Sequence, residues 1–207
     1  TVANVGIGFD ILGHTVQGVG DRVTARRVDE PGVRIRSIKG VVEKLPLAAE
    51  KNTAGRAVMS LWEEYGGQGG VELEIEKGIP LSSGMGGSAA SAVAGVVAAN
   101  ALLAQPVPRM TLLRCAMQGE QVASGSIHVD NISPSLFGGL VLTVGVDNPR
   151  IKQIPVPGGL RCVLVHPHMQ LSTREARGVL SKTVSLSNVV WQTANLAGFI
   201  SGCYTND

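Results

Sequence analysis

Residues 79–104 have the sequence IPLSSGMGGSAASAVAGVVAANALLA, a stretch rich in Gly and Ser that passes without a break into a run of small apolar residues. Two physical explanations compete for it. A Gly-rich loop that leads into a helix presents free backbone N–H groups and the positive end of the helix dipole, which together bind anions such as phosphate. Alternatively, the stretch is a tight turn before a helix whose small side chains let it pack closely against its neighbours.

The composition favours a soluble protein with a small-molecule partner. The chain of 207 residues is long enough for one large domain, or for one domain and part of another. Its net charge is +2, it has no block of Lys and Arg, and 3% of its residues are aromatic, which argues against nucleic acid and anionic membranes as partners. Cys115, Cys162 and Cys203 are spaced too widely for a disulfide framework or a zinc site. We expect a cytoplasmic protein, because nothing in the sequence resembles a signal peptide or a membrane span.

Hydrophobic periodicity predicts a mixed α+β fold. Strict alternation at residues 71–75 predicts a strand with one buried face, and helical spacing at residues 52–65 predicts a helix, whereas residues 1–13 look irregular. Further strands are predicted at residues 22–27, 33–38, 138–146 and 160–166, and further helices in the small-residue half of the opening stretch and at residues 111–123, 172–181 and 186–200.

Residues 147–159 are rich in Pro and Gly, which indicates a domain boundary. We predict one domain over residues 1–155 and the beginning of a second over residues 156–207. The second piece is too short to be stable by itself, so we expect more chain to follow it.

The Gly-rich loop fits two common phosphate-binding motifs poorly. No Gly-Lys-Ser/Thr follows Gly84, as a Walker-type loop requires. Residues 84–89 do match the G-x-G-x-x-A pattern of dinucleotide-binding folds, but that pattern needs a strand directly before it and an acidic residue about 20 positions later. Residues 101–112 contain neither Asp nor Glu, so an NAD-dependent oxidoreductase is the weakest candidate function.

A third motif matches better. Pro80-x3-Gly84-Met-Gly86-Gly-Ser88-Ala89-Ala90 is similar to the P-x3-G-L-G-S-S-A-A loop of the GHMP kinases, a superfamily of small-molecule kinases, with Gly87 at the position of the first Ser. The resemblance implies that the loop binds the phosphates of ATP and that the Ser88 hydroxyl reaches Mg2+. It assigns the following residues to nucleotide binding: Pro80, Leu81, Ser82, Ser83, Gly84, Met85, Gly86, Gly87, Ser88, Ala89 and Ala90.

Three further stretches resemble the homoserine kinases, a family within this superfamily. They are VANVGIGFDILG at residues 2–13, HVDNISPSLFGG at residues 128–139 and LSTREARGVL at residues 171–180. Taken alone, each stretch has a simpler explanation. Residues 2–13 could be a Gly-rich turn, residues 128–139 a solvated loop, and residues 171–180 a helix with an Arg on its surface. With it, they imply an amino acid binding site formed by these residues: Asn4, Asp10, His128, Asp130, Asn131, Thr173 and Arg177.

The residue types suit an amino acid. The carboxylate of Asp10 and the amide oxygen of Asn4 can together accept hydrogen bonds from an ammonium group. Arg177 can bind a carboxylate through two parallel N–H bonds. Thr173 lies four residues before Arg177, and therefore on the same face of the predicted helix.

Glu120 is an acidic residue on the predicted helix 111–123, and by itself it is typical of a solvated helix surface. GHMP kinases carry a Mg2+ ligand on this helix, so the resemblance pairs Glu120 with Ser88 as the metal site. Mg2+ commonly takes one or two carboxylates beside phosphate oxygens. Asn52 and Lys77 resemble residues beside the adenine in homoserine kinases, although Asn52 is also a good helix N-cap.

The resemblance implies the GHMP kinase fold, with an N-terminal domain like ribosomal protein S5 domain 2 and a ferredoxin-like C-terminal domain that is incomplete here. It implies ATP-dependent phosphorylation of the L-homoserine hydroxyl to O-phospho-L-homoserine in threonine biosynthesis, and a tendency to form homodimers. The catalytic residues would be Ser88, Glu120, Asn131 and Arg177, with Asn131 positioning the hydroxyl and Asp130 or His128 as alternative bases. A mevalonate- or sugar-type GHMP kinase and a non-catalytic nucleotide-binding relative are the alternative functions.

Overall fold

The computed structural model describes residues 1–124, 127–165 and 173–207, except for the side chains of residues 123, 124, 173 and 174. The strands are β1 Val2–Asn4, β2 Gly8–His14, β3 Arg22–Val28, β4 Gly32–Gly40, β5 Gly70–Lys77, β6 Leu140–Val144 and β7 Arg150–Ile154. The helices are α1 Thr53–Tyr65, α2 Gly87–Asn100, α3 Arg109–Ser124, α4 Val129–Phe137, α5 Thr173–Gly178 and α6 Leu186–Thr205. This arrangement confirms the predicted α+β class.

The described strands form two sheets. One has the order β1-β2-β6-β7, with antiparallel pairing throughout, and the other has the order β3-β5-β4, in which β4 runs parallel to the central β5. The alternation that predicted β5 is confirmed, since Val71, Leu73 and Ile75 are buried. The intervening Glu side chains point outward, where Glu72 and Glu74 pair with arginines of β3 and β4.

The main core lies between the β3-β5-β4 sheet and helices α1, α2 and α3. Close approach between the helices depends on small residues. A side chain at Gly119 of α3 would overlap the Thr53 carbonyl and lie 2.8 Å from the Ala57 Cβ, and one at Gly95 of α2 would lie 3.2 Å from Val58. The small residues of α2, the second half of residues 79–104, therefore allow close packing, which was one of the two explanations for that stretch.

Helix α6 is far more exposed than α1 to α3. Its C-terminal part packs against the other sheet, where Cys203 and Phe199 join Leu140 and Ile154 in a small cluster. Trp191, earlier in α6, has 73% of its surface exposed. Within the described ranges, no helix has both the length and the apolar character needed to cross a bilayer.

Several sequence predictions of local structure are wrong. Residues 2–14 form β1 and β2 around a turn, and residues 150–154 form β7, for which no strand was predicted. These strands are short and lack regular alternation, and they exist because they pair with β6 and with each other. Residues 160–165 are not a strand, and the rest of that prediction, like the predicted helix start at Ser172, lies outside the described residues.

Residues 129–137, for which no helix was predicted from sequence, form the helix α4 despite the internal Pro134. Proline has no N–H to donate to the carbonyl four residues earlier, which here is that of Asp130. A side chain at Gly13 of β2 would overlap this same carbonyl. The glycine therefore lets β2 pack directly against α4, which brings the N-terminal stretch next to the residues around Asn131.

Candidate active site

The Gly-rich loop connects β5 to α2 and reaches the helix through a left-handed residue. Gly86, the N-cap of α2, has φ 60°, and Gly84 has φ 71°. Among the described residues, the backbone N–H groups of Gly86, Gly87, Ser88 and Ala89 donate no hydrogen bond. These N–H groups and the positive end of the α2 dipole thus form an anion site of the kind that binds phosphate.

Asn131 lies directly against this loop. A side chain at Gly86 would overlap the Oδ1 of Asn131 and lie 2.5 Å from the hydroxyl of Thr1, so only glycine fits there. The Thr1 hydroxyl donates a hydrogen bond of 3.0 Å to Asn131 Oδ1. The side chain predicted to position an acceptor hydroxyl is therefore adjacent to the amides predicted to hold phosphate.

Ser88 and Glu120, the predicted metal ligands, are in direct contact. The Ser88 hydroxyl donates to Glu120 Oε1 at 2.9 Å, and His128 Nδ1 lies 3.4 Å from the same oxygen. Glu120 is 3% exposed, and in the described part of the chain its other oxygen, Oε2, has no hydrogen-bond partner. A buried carboxylate oxygen without a partner is unfavourable unless a cation satisfies it.

This donor set fits Mg2+. Within residues 1–124, 127–165 and 173–207, no group of three His, Cys, Asp or Glu residues is arranged to hold a metal ion by itself. The site thus supplies one carboxylate and one hydroxyl, which suits an ion that obtains its remaining oxygens from phosphates and water.

His128 and Asp130 flank this region and both titrate unusually. The pKa of His128 is raised by the hydrogen bond between its ring and the Glu120 carboxylate, although partial burial of the ring opposes this shift. Burial raises the pKa of Asp130, and the nearby Asp10 carboxylate adds to the effect. Asp130 is therefore a stronger base than a surface aspartate.

Asp10 and Arg177 form a bidentate ion pair, although they are 167 residues apart in sequence. Arg177 Nη1 donates to Asp10 Oδ2 at 2.9 Å, Nη2 donates to Oδ1, and the guanidinium carbon lies 5.3 Å from the centroid of the Phe9 ring. The Asp10 and Arg177 side chains remain 42% and 38% exposed. The pair is thus accessible to a ligand.

Asn4 holds Asp10 in place. The Asp10 N–H donates to Asn4 Oδ1 at 3.0 Å, and both residues have left-handed backbone, with φ 70° at Asn4 and φ 64° at Asp10. Such conformations are tolerated better by Asn and Asp than by most residues. The structure therefore brings together Asn4, Asp10 and Arg177 as predicted, while the side chain of Thr173 lies outside the described residues.

Asn52 and Lys77 are engaged within the protein. Asn52 Oδ1 accepts from the N–H groups of Ala54 and Gly55, so this residue is the N-cap of α1. The Lys77 side chain is 3% exposed and forms an ion pair with Asp21. Contact of either side chain with adenine stays a prediction.

Sequence reasoning missed Asp21 and Ser91, which both contact Lys77. The antiparallel register of Arg22 with Glu76 places Asp21 opposite Lys77. The available signal was that Asp21 directly precedes β3 and Lys77 ends β5, because two opposite charges at the ends of two strands can form an ion pair if those strands are neighbours. Their pairing depends on strand register, which the sequence does not specify.

Comparison with known proteins agrees with this geometry. Residues 52–139 match the family model described as GHMP kinases N terminal domain. A homoserine kinase of Xylella fastidiosa (strain M12) is 52% identical over all 207 residues, and the chain spans 63% of that protein's length. A homoserine kinase of Chlorobium phaeobacteroides (strain BS1) is 42% identical over 217 aligned residues, which cover the whole chain and 68% of the relative.

A solved structure shows the same fold. The crystal structure of homoserine kinase from Cytophaga hutchinsonii ATCC 33406 matches with a TM-score of 0.91 at 43% identity, covering 100% of this chain and 65% of that one. The predicted GHMP kinase fold is confirmed. From the shared sequence, the shared fold and the arrangement of the site, the chain belongs to the homoserine kinase family of the GHMP kinases.

Proposed function

We propose that the protein to which this chain belongs transfers a phosphoryl group from ATP to the hydroxyl of L-homoserine, giving O-phospho-L-homoserine in threonine biosynthesis. One observation carries the proposal: an exposed Asp10–Arg177 pair, matched to the two charges of an amino acid, lies beside a loop with free amides. The two parts are close, because Asp10 and Arg177 both interact electrostatically with Asp130, the neighbour of Asn131. The names of the relatives support the same activity.

The loop and the Ser88–Glu120 pair would hold the nucleotide and its metal. The free N–H groups of residues 86–89 would bind phosphate oxygens, as the sequence resemblance implies for residues 80–90. Ser88 Oγ and the unpartnered Glu120 Oε2 would bind Mg2+, which neutralises phosphate charge when it is bound.

The amino acid would bind by exchanging partners with the ion pair. The ammonium group replaces Arg177 beside Asp10, and the carboxylate replaces Asp10 on the two Nη groups of Arg177. Each charge that loses its protein partner gains a substrate partner, so no charge is left unmatched. An alcohol with no charges, such as a sugar, cannot make this exchange.

Asn131 would orient the hydroxyl, with the phosphoryl group held by the adjacent loop. A neutral amide is not a base at physiological pH, so the proton would pass to a phosphate oxygen, with Asp130 or His128 as alternative acceptors. In phosphoryl transfer, positioning and charge stabilisation provide most of the rate enhancement. Asp130 is the better of the two alternatives, because the raised pKa of His128 leaves its imidazole more often protonated near neutral pH and so unable to accept a proton.

Substrate comparison tests the proposal. ADP formation by the full-length protein should be fast with L-homoserine and absent with mevalonate or galactose. Asn131→Ala should lower kcat by about 100-fold and leave ATP affinity unchanged, because the variant loses only the orientation of the acceptor. Turnover of another acceptor, or ATP binding without any turnover, would instead support one of the alternative functions. A cytoplasmic location and a homodimer also remain part of the proposal.

A further inference from the structure

Beneath the phosphate loop lies an ion pair that has no part in the chemistry described above. The side chains of Asp21 and Lys77 are 0% and 3% exposed. Ser91, in the second turn of α2, completes the group, since its hydroxyl donates to Asp21 Oδ2 at 2.6 Å and accepts from Lys77 Nζ at 2.8 Å.

Asp21 binds the chain where the loop begins. Its Oδ1 accepts from the N–H groups of Gly78 and Ile79, at 3.0 Å and 3.1 Å. These two residues directly precede Pro80. A side chain at Gly78 would overlap the Gly20 carbonyl, so the segment before β3 lies tightly against the loop entry.

Lys77 binds the chain where the loop ends. Its Nζ donates to the carbonyl of Gly87, at 2.9 Å, as well as to Ser91 and Asp21. All three donors of the ammonium group are therefore used. The ion pair connects the entry of the loop to its exit, and any displacement of either end would leave a buried charge without its partner.

The contact with Gly87 has a direct consequence for the anion site. The peptide unit between Gly87 and Ser88 is planar, and in a trans unit the C=O and N–H bonds point in opposite directions. Lys77 therefore holds the carbonyl of this unit on the protein side while its N–H, that of Ser88, points away from Lys77. A charge-assisted bond to the carbonyl also polarises the unit and strengthens its N–H as a donor.

We propose that Asp21, Lys77 and Ser91 are positioning residues that set the loop amides for the phosphates of ATP, and that Lys77 acts through the loop instead of contacting adenine. This inference rests on the proposed function only in taking ATP as the ligand. The residues touch the loop backbone, not the reacting atoms.

The decisive measurement is nucleotide affinity in the full-length protein, determined by calorimetry with Mg2+ and without homoserine. Ser91→Ala removes one hydroxyl and keeps the ion pair, and it should weaken ATP binding about five- to tenfold. The double variant Asp21→Asn/Lys77→Met removes both charges together, which avoids an unpaired buried charge, and it should weaken binding further. Inorganic triphosphate should lose affinity by the same factor as ATP, because the effect is on the phosphate site.

Asn100→Ala is the matched control. Asn100 is the last residue of α2, at the end far from the loop, and its side chain donates to the Val107 carbonyl at 3.3 Å and accepts from the Val107 N–H at 2.8 Å. This variant should lower the melting temperature and leave ATP affinity within about twofold of the parent protein.

Two results would overturn the inference. If Ser91→Ala and Asp21→Asn/Lys77→Met both bind ATP as tightly as the parent protein and lose only thermal stability, the ion pair is purely structural. If affinity is lost for ATP and not for inorganic triphosphate, Lys77 contacts adenine as the sequence predicted. Failure of the proposed function is a separate result, because it would appear in the parent protein as nucleotide binding without homoserine turnover.

Discussion

Two ion pairs in this molecule each join an aspartate to a basic side chain, and their surroundings are opposite. Asp21 and Lys77 are almost fully buried, and every donor of the lysine is used. Asp10 and Arg177 are about two-fifths exposed. The buried pair therefore fixes backbone, whereas the exposed pair can exchange partners at little cost, since solvent screens its attraction. Exposure, not the identity of the charges, separates the structural pair from the candidate binding pair.

The largest expected effect is on the free energy of unfolding. The comparison can be tested by making the same change, Asp to Asn, in the buried pair and in the exposed pair. Asp21→Asn should lower the free energy of unfolding by about 3–5 kcal/mol, because it leaves the Lys77 charge buried and unpaired. Asp10→Asn should change it by less than about 1 kcal/mol, because Arg177 remains hydrated and Asn tolerates the left-handed backbone. Urea denaturation of the full-length protein measures both. Equal losses in the two variants would contradict the distinction.

A smaller effect is expected on substrate binding. Arg177→Lys keeps the charge and loses the planar fork that binds a carboxylate through two N–H bonds, so the KM for homoserine should rise about tenfold. The KM for ATP should not change, because the hydrogen bonds of the Arg177 side chain within the described residues go to Asp10 and not to the phosphate loop. Steady-state kinetics with each substrate varied in turn provide the measurement. A rise in the KM for ATP alone would remove Arg177 from the amino acid site.

The smallest effect concerns Asp130, which is 3% exposed, much like the buried pair, and has a raised pKa because it is buried. A carboxyl whose pKa is higher in the folded than in the unfolded state favours folding at low pH. That contribution is lost as the pH rises from the unfolded pKa through the folded pKa. Asp130→Asn should therefore slightly increase the free energy of unfolding at neutral pH and remove the loss of stability that Asp130 contributes as the pH rises through the acidic range.

Denaturation at a series of pH values, with the parent protein as reference, tests this prediction. An unchanged pH profile would show that Asp130 is solvated like a surface carboxylate. The same variant also informs the mechanism. If Asp130 accepts the hydroxyl proton, kcat should fall steeply in Asp130→Asn, whereas direct transfer to a phosphate oxygen predicts a modest change.

The elements that sequence predicted well are those whose residues carry a strong local signal. The alternation of β5 and the N-cap at Asn52 both correspond to observed structure. Strands β1, β2 and β7 were missed because their short sequences form strands only through pairing with distant partners. Helix α4 was missed because Pro134 is a local signal against a helix, which its tertiary contacts override.

The candidate site divides in the same way. The sequence motifs predicted one part of the site: the Gly-rich loop, Ser88, Glu120, Asn131, Asp10 and Arg177. The observed geometry is compatible with the roles predicted for these residues. Asp21 and Ser91 could not be found, because each is an ordinary polar residue until β3, β5 and α2 come together. The role of Lys77 in the loop was likewise obscured by its expected place beside adenine.

The sequence by itself determined the phosphate-type loop, the small-residue helix behind it and the family to which both belong, because these depend on residue types at short spacings. Tertiary structure alone decided which charges are exposed and which are buried. That property arises from packing between segments up to 167 residues apart, as for Asp10 and Arg177. It determines whether an ion pair holds the backbone or remains available to a ligand, because burial removes the water that would otherwise compete for each charge.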